Sequence, residues 1–222
     1  MIRPFVRQGF GPKILGFRPF GVRALGRLAA VGLCTVALSG CISLLPKSKP
    51  AQLYRFGVAE PTAAPPARAG DVAVYRTNTR FQEEASDDRI LTVSGGKAAY
   101  IAQSRWVAPA EVLFDQAVAQ AFDASPVRLI GRGQQGRFAY ALRLDVREFE
   151  ARYDSGPKAA PTVVVRVHAA LTKSDQSNVG EQDFEARVPA ADNRVGEIVS
   201  AYDKAVGEVL GKLVGWTEAN AT

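Results

Sequence analysis

Between Tyr140 and Val188, apolar side chains fall at every second position in three successive runs. Tyr140, Leu142, Leu144 and Val146 alternate with Ala141, Arg143, Asp145 and Arg147. Val163, Val165, Val167, Ala169 and Leu171 alternate with a row that holds Arg166 and His168. Phe184, Ala186 and Val188 alternate with Asp183, Glu185 and Arg187. A period of two is strand geometry, because successive side chains leave opposite faces. Three consecutive strands with one apolar face each assemble as an antiparallel sheet with one wet side. Phe149 falls out of this parity, so a bulge is expected near Glu148.

The dry side of such a sheet needs a cover, and the sequence offers two helices. Ala110, Leu113, Phe114, Ala117, Val118 and Ala121 share one face at helical spacing. Pro109 suits the first turn of that helix, and Pro126 stops its continuation. Val195, Ile198, Val199, Tyr202, Val206, Val209, Leu210 and Leu213 form a second stripe, with Asp192 or Asn193 as N-cap. Shorter strands are expected at Tyr54–Val58, Val72–Tyr75, Ile90–Val93, Ala98–Ala102 and Val127–Ile130. Ser94-Gly95-Gly96-Lys97 supplies a turn, and the stretch holding Glu83, Glu84, Asp87 and Asp88 reads as a solvated loop. The fold class is α+β: a largely antiparallel sheet with two amphipathic helices packed on one face.

The amino-terminal region is of another kind. Six basic residues and no acidic one precede an uncharged eleven-residue apolar run, Leu28 to Leu38. Spanning a bilayer takes about 20 apolar residues, so this run reads as the core of a secretory signal peptide. Small residues and a cysteine follow it, and Leu38-Ser39-Gly40-Cys41 resembles the lipobox of bacterial lipoproteins. In such proteins the chain is cut before the cysteine, which carries diacylglycerol and an N-acyl chain. The resemblance implies a membrane anchor at Cys41 without a membrane-spanning helix. Ile42 stands where an Asp would favour retention at the inner membrane, which implies the outer membrane. Three divisions result: 1–40 as signal peptide; 41–70 as lipidated Cys, tether, short strand and Pro/Ala spacer; and 71–222 as a single domain.

Charge and cysteine content have to be read after processing. Six of the 28 Lys and Arg lie before Cys41, leaving 22 against 22 Asp and Glu, so the basic balance belongs to the leader. No net positive charge remains to draw the folded part to phosphate backbones, and no nucleic-acid partner is expected. Cys34 leaves with the leader and Cys41 is taken by lipid, so no thiol is left for a disulfide, a metal or catalysis.

No motif argues for catalysis. Gly131-Arg132-Gly133-Gln134-Gln135-Gly136 has dinucleotide-site spacing, but a strand follows it where that site needs a helix N-terminus. His168, the single histidine, has no second His or Cys to complete a metal site and reads as a solvated sheet residue. Trp106 precedes a helix and packs or meets a partner. Gly207, Gly211 and Gly215 recur every fourth residue, opposite the apolar stripe, where a partner could approach closely. Gly215 could equally end the helix.

The order of these features resembles the ABC-type transport auxiliary lipoproteins, a family that includes paraquat-inducible protein C. The matching parts are the lipobox, the Tyr54-Arg55-Phe56 strand, the Pro/Ala spacer, and Tyr100…Ser104-Arg105-Trp106 leading into the Pro109 helix. A long strand ending in Arg147-Glu148-Phe149-Glu150-Ala151 and the final amphipathic helix complete the pattern. The resemblance implies an outer-membrane lipoprotein that partners an MCE-domain protein of an inner-membrane ABC transporter, in a system moving lipids or other hydrophobic substrates. It brings no catalytic residue and no cofactor beyond the acyl groups on Cys41. A lipid-carrying module with an apolar cavity is the alternative, and a cell-envelope hydrolase a third. A continuous apolar cavity would favour the carrier; a filled core with an exposed groove would favour the partner.

Overall fold

The computed structural model describes residues 50–57, 72–123, 125–131 and 133–222. Cys41, the lipobox, the tether up to Lys49 and the Pro/Ala spacer from Pro61 to Gly70 lie outside the described residues. In chain order the first elements are β1 (Gln52–Tyr54), β2 (Ala73–Arg76), β3 (Arg80–Phe81), α1 (Glu83–Ser86), β4 (Arg89–Ser94) and β5 (Lys97–Trp106). Then come α2 (Ala110–Asp123), β6 (Arg128–Ile130), β7 (Tyr140–Arg152), β8 (Thr162–Lys173), β9 (Asn178–Pro189) and α3 (Val195–Asn220).

The three alternating runs are β7, β8 and β9, and both of their pairings are antiparallel. Val163, Val165, Val167, Ala169 and Leu171 of β8 are fully buried on the dry face. The bulge falls between Val146 and Glu148, so that Phe149 turns back into the core. A bulge leaves backbone groups without ladder partners. Here Gln82 supplies one: its Oε1 accepts from the Phe149 N–H at 3.0 Å, while its own N–H donates to the Val146 carbonyl at 2.9 Å.

The other edge of β7 is shared by three short strands, all parallel to it. β2 pairs Tyr140 to Leu142, β3 pairs Asp145 and Val146, and β4 pairs Ala151 and Arg152. β5 returns antiparallel to β4, and β1 adds parallel to β5 as one edge of the sheet. The long pairings are thus antiparallel and the short ones mostly parallel, which makes the sheet mixed within an α+β fold. Gly95 and Gly96 both take positive φ, 53° and 77°, as the tight β4–β5 turn requires.

Several local expectations need correction. The acidic stretch after Phe81 is not simply a loop: Glu83–Ser86 forms one helical turn that buries Ala85 against the core. The first strand is Gln52–Tyr54, and it belongs to the body of the fold, since Phe56 just beyond it is 1% exposed. The N-cap of α3 is Arg194, which makes no side-chain cap bond. Gly215 does not end that helix, which continues to Asn220. Glycine is only a weak breaker, and Thr217 and Ala221 bury the last turns.

α2 and α3 cover the dry face of the sheet. Ile198, Ala201, Tyr202, Ala205, Val206, Val209 and Leu213 of α3 are each at most 3% exposed and pack above β8 and β9. An aromatic cluster joins the layers: Trp106 meets Phe56 edge-on at 4.9 Å and Tyr202 at 5.2 Å, and Phe149 meets Tyr202 at 4.9 Å. Burying each such ring removes a large apolar area from water, with about 0.5–1.5 kcal/mol more from each ring pair. The Tyr202 hydroxyl donates to the Leu91 carbonyl at 3.2 Å, and burial pushes its pKa well above the ordinary phenol value.

Candidate functional site

The side chains between sheet and helices form one buried apolar cluster, and a concavity lies between the helices themselves. Ala117 and Ala121, one turn apart on α2, face Val206, Leu210 and Val214 of α3 across a groove of about 360 Å³. Val206 and Leu210 are nearly buried and form its floor, while Gly207, Gly211, Gly57 and Asp203 complete the lining. Small residues on α2 and glycines on α3 keep the groove open, because larger side chains would close it.

The glycines differ in why they are glycines. A Cβ on Gly57 would stand 2.6 Å from the Ala117 Cβ, and its φ of +70° disfavours any L side chain. Packing and backbone therefore both demand glycine there. A Cβ on Gly207, Gly211 or Gly215 would meet nothing within 4 Å. These three are exposed, and the domain itself gives no reason for them, although each costs about 1 kcal/mol of helix propensity relative to Ala. Gly57, Ala117, Ala121 and Asp203 were not legible as site residues, since nothing in the sequence joins positions so far apart.

The other sequence candidates fall elsewhere. Trp106 is 2% exposed inside the aromatic cluster, so it offers no surface to a partner; its role is packing. Cys41 lies outside the described residues. His168 is on the outer sheet face as expected but is not freely solvated, its side chain being 16% exposed. Its Nδ1 lies 3.0 Å from Asp183 Oδ1 and its Nε2 3.4 Å from Glu181 Oε2, so carboxylates on β9 close over it. Among the described residues no group of three or more His, Cys, Asp or Glu could hold a metal ion. The residues 131 and 133–136 lead directly into β7, which removes the helix a dinucleotide site requires.

That outer face is a charge ladder. Arg152 bonds Glu150 at 2.7 Å and Glu148 at 3.0 Å, Arg166 bonds Glu185 at 2.6 Å, and Arg147 bonds Asp183 at 3.1 Å. Arg187 also bonds Glu185, and this bond and that from Arg166 hold the carboxyl below its ordinary pKa against opposing desolvation. The hydrogen bond to Glu150 raises the Arg152 pKa. With these charges answered by one another, the ladder reads as a solvated, self-paired surface.

The family model of the ABC-type transport auxiliary lipoprotein component matches residues 54–214, from β1 through most of α3. The chain belongs to this family. It is the family that the order of motifs resembled. A similar fold is seen in the crystal structure of a Xanthomonas campestris protein of the DUF330 family. That protein is 23% identical, with a TM-score of 0.66, and the match covers 77% of this chain and 96% of the other. The crystal structure of an uncharacterized protein is similar at 10% identity and a TM-score of 0.58, covering 78% of this chain and all of that one. At such identities the likeness concerns the fold. No curated protein matches the chain in sequence. Membership of a lipoprotein family implies membrane anchoring, and among the described residues no helix is long and apolar enough to cross a membrane.

Proposed function

We propose that this auxiliary lipoprotein is a non-catalytic subunit of an MCE-type ABC transport system moving lipids or other hydrophobic molecules between the inner and outer membranes. In this reading acyl chains on Cys41 hold it at the periplasmic face of the outer membrane, and it docks an MCE-domain protein of the inner-membrane transporter. The observation that carries the proposal is the family match over residues 54–214. One further feature supports it: the α2–α3 groove is edged by glycines that internal packing does not explain.

The test is purification of the tagged, lipidated protein from detergent-solubilised membranes of its own host. An MCE-domain protein and its ATPase should be retained. Recovery of intact, acylated protein without either would overturn the reading. Cys41→Ser should abolish palmitate labelling and leave the precursor uncut or release a soluble form; normal labelling in that variant would remove the anchor from the proposal. The groove volume, about 360 Å³, lies within the range of small-ligand pockets and favours a second reading, an acyl-chain carrier. Native mass spectrometry separates the two, since a carrier retains one lipid per chain and a docking subunit none.

A further inference from the structure

Four large apolar side chains are notably exposed among the described residues: Leu53 at 62%, Val107 at 51%, Val112 at 40% and Phe138 at 38%. Phe138 stacks on Tyr75 at 5.1 Å. The other three gather at one end of the fold, and three contacts bring them together. Leu53 pairs with Arg105 in the parallel β1–β5 register, and the Val107 N–H donates to the Tyr54 carbonyl at 2.8 Å, which continues the register to set Val107 beside Arg55. Arg55 then reaches α2, where its Nη2 donates to Gln116 Oε1 at 2.6 Å. Val112 lies one turn before Gln116 on the same helix face. Alternation on β1 turns Leu53 and Arg55 outward as Phe56 turns into the core.

This end is also where the chain enters the fold. Gln52 follows Cys41 by eleven residues. A chain of that length spans at most about 40 Å when fully extended and about 20 Å as a flexible coil. A domain of this size is about 40 Å across. Even the fully extended length does not exceed the width of the domain, so β1, at the entry of the chain, lies at the anchor more readily than β9, at the far edge of the sheet. Arg55 and Arg105 place cations at the same end, with Arg105 shared with Asp88 at 2.9 Å.

We infer that Leu53, Val107 and Val112 form a contact with the lipid bilayer that carries the Cys41 anchor, entering the headgroup boundary while Arg55 faces the phosphates. The inference rests on the lipid-anchored reading above. It adds an orientation: the β1–β5 edge and the start of α2 face the membrane, and β9 faces away. Apolar side chains flanked by cations suit such an interface, where aliphatic groups leave water and guanidinium groups stay at the phosphate level.

The test uses the absence of any other thiol. Cys34 and Cys41 are the only cysteines, and acylated Cys41 does not react, so Leu53→Cys, Val107→Cys, Val112→Cys and, on the opposite edge, Asn178→Cys can each take a single nitroxide label. The full lipoprotein, its acylation verified by mass, is reconstituted into vesicles of phosphatidylethanolamine and phosphatidylglycerol. Labels at 53, 107 and 112 should show several-fold higher ratios of collision with lipid-dissolved oxygen to collision with a water-soluble nickel chelate than the label at 178. Four equal, water-like ratios in acylated, vesicle-bound protein overturn the contact and leave the anchor standing. Protection from both reagents places a protein neighbour there and likewise overturns it. A chain that is neither acylated nor vesicle-bound removes the anchored reading, and this contact with it.

Discussion

The backbone N–H of Gly57 donates to Asp203 Oδ1 at 2.8 Å, tying the segment that enters the fold to the middle of the last helix, 146 residues away. The bond sits at one end of the α2–α3 groove, where Gly57 also presses its Cα face against Ala117. Entry strand, α2 and α3 therefore meet at a single point.

Gly57→Ala should accordingly destabilise the domain by about 1–3 kcal/mol, since it adds a clash to an unfavourable φ. Adding Ala117→Gly should restore part of the loss by removing the clash, leaving the backbone strain. Asp203→Ala should cost about 1 kcal/mol, the net worth of one hydrogen bond. Denaturant midpoints of the parent and the three variants check this, and equal stability of Gly57→Ala and the parent would refute the account of this contact.

Trp106→Ala should be among the most damaging single changes, costing about 3–5 kcal/mol. It empties a site bounded by Phe56, Phe149 and Tyr202. Trp106→Phe should cost much less. Retention of a transporter partner, measured per folded molecule, should be the same for parent and Trp106→Phe, because a ring 2% exposed is not a partner contact.

Gly207→Ala and Gly211→Ala should each raise the stability of the domain by about 0.4–1 kcal/mol, because both sites are helical and a Cβ there meets open space. Gly207→Leu with Gly211→Leu should leave circular dichroism unchanged yet abolish co-purification with the transporter partner. A folded double variant that still holds the partner would take the groove out of the docking proposal.

Glu185 makes stability depend on acid pH. Its carboxyl pKa is lower in the folded protein, first through the bond from Arg187 and then through that from Arg166. A depressed folded value contributes stability above the unfolded value, and loses it as pH falls through the folded one. The stability gap between the parent and Glu185→Gln should therefore be largest at neutral pH and shrink below about pH 4, near and under the unfolded glutamate value. Denaturation at pH 3–7 measures it. The gap should be small, and smaller at high salt, because the side chain is 32% exposed.

Much of this architecture was legible because strand and helix periods are local. The three long strands of the sheet, the displaced parity at Phe149, the Gly95-Gly96 turn and both cover helices each followed from side chains a few residues apart. Arg80–Phe81 and Glu83–Ser86 were not legible. Two residues of strand and one turn of helix carry no period, and their conformation depends on Gln82 filling the gap opposite the β7 bulge. The capping expectation failed for a related reason: Asp192 and Asn193 spend their side chains in the preceding loop, on the Asn193 N–H and the Tyr153 hydroxyl.

The sequence alone supplied the expectation of an export leader with a candidate acylation site at Cys41, a wet-faced sheet under two helices, and a family. These depend on patterns that neighbouring residues set, so a linear reading recovers them. Tertiary structure decided which faces meet. It buried Trp106, closed carboxylates over His168, set the glycines of α3 beside the alanines of α2, and gathered Leu53, Val107 and Val112 at the entry of the chain. Those outcomes depend on long-range register and helix docking, in which the energies of many small contacts are summed across residues that are distant in sequence. No window of the chain contains that sum.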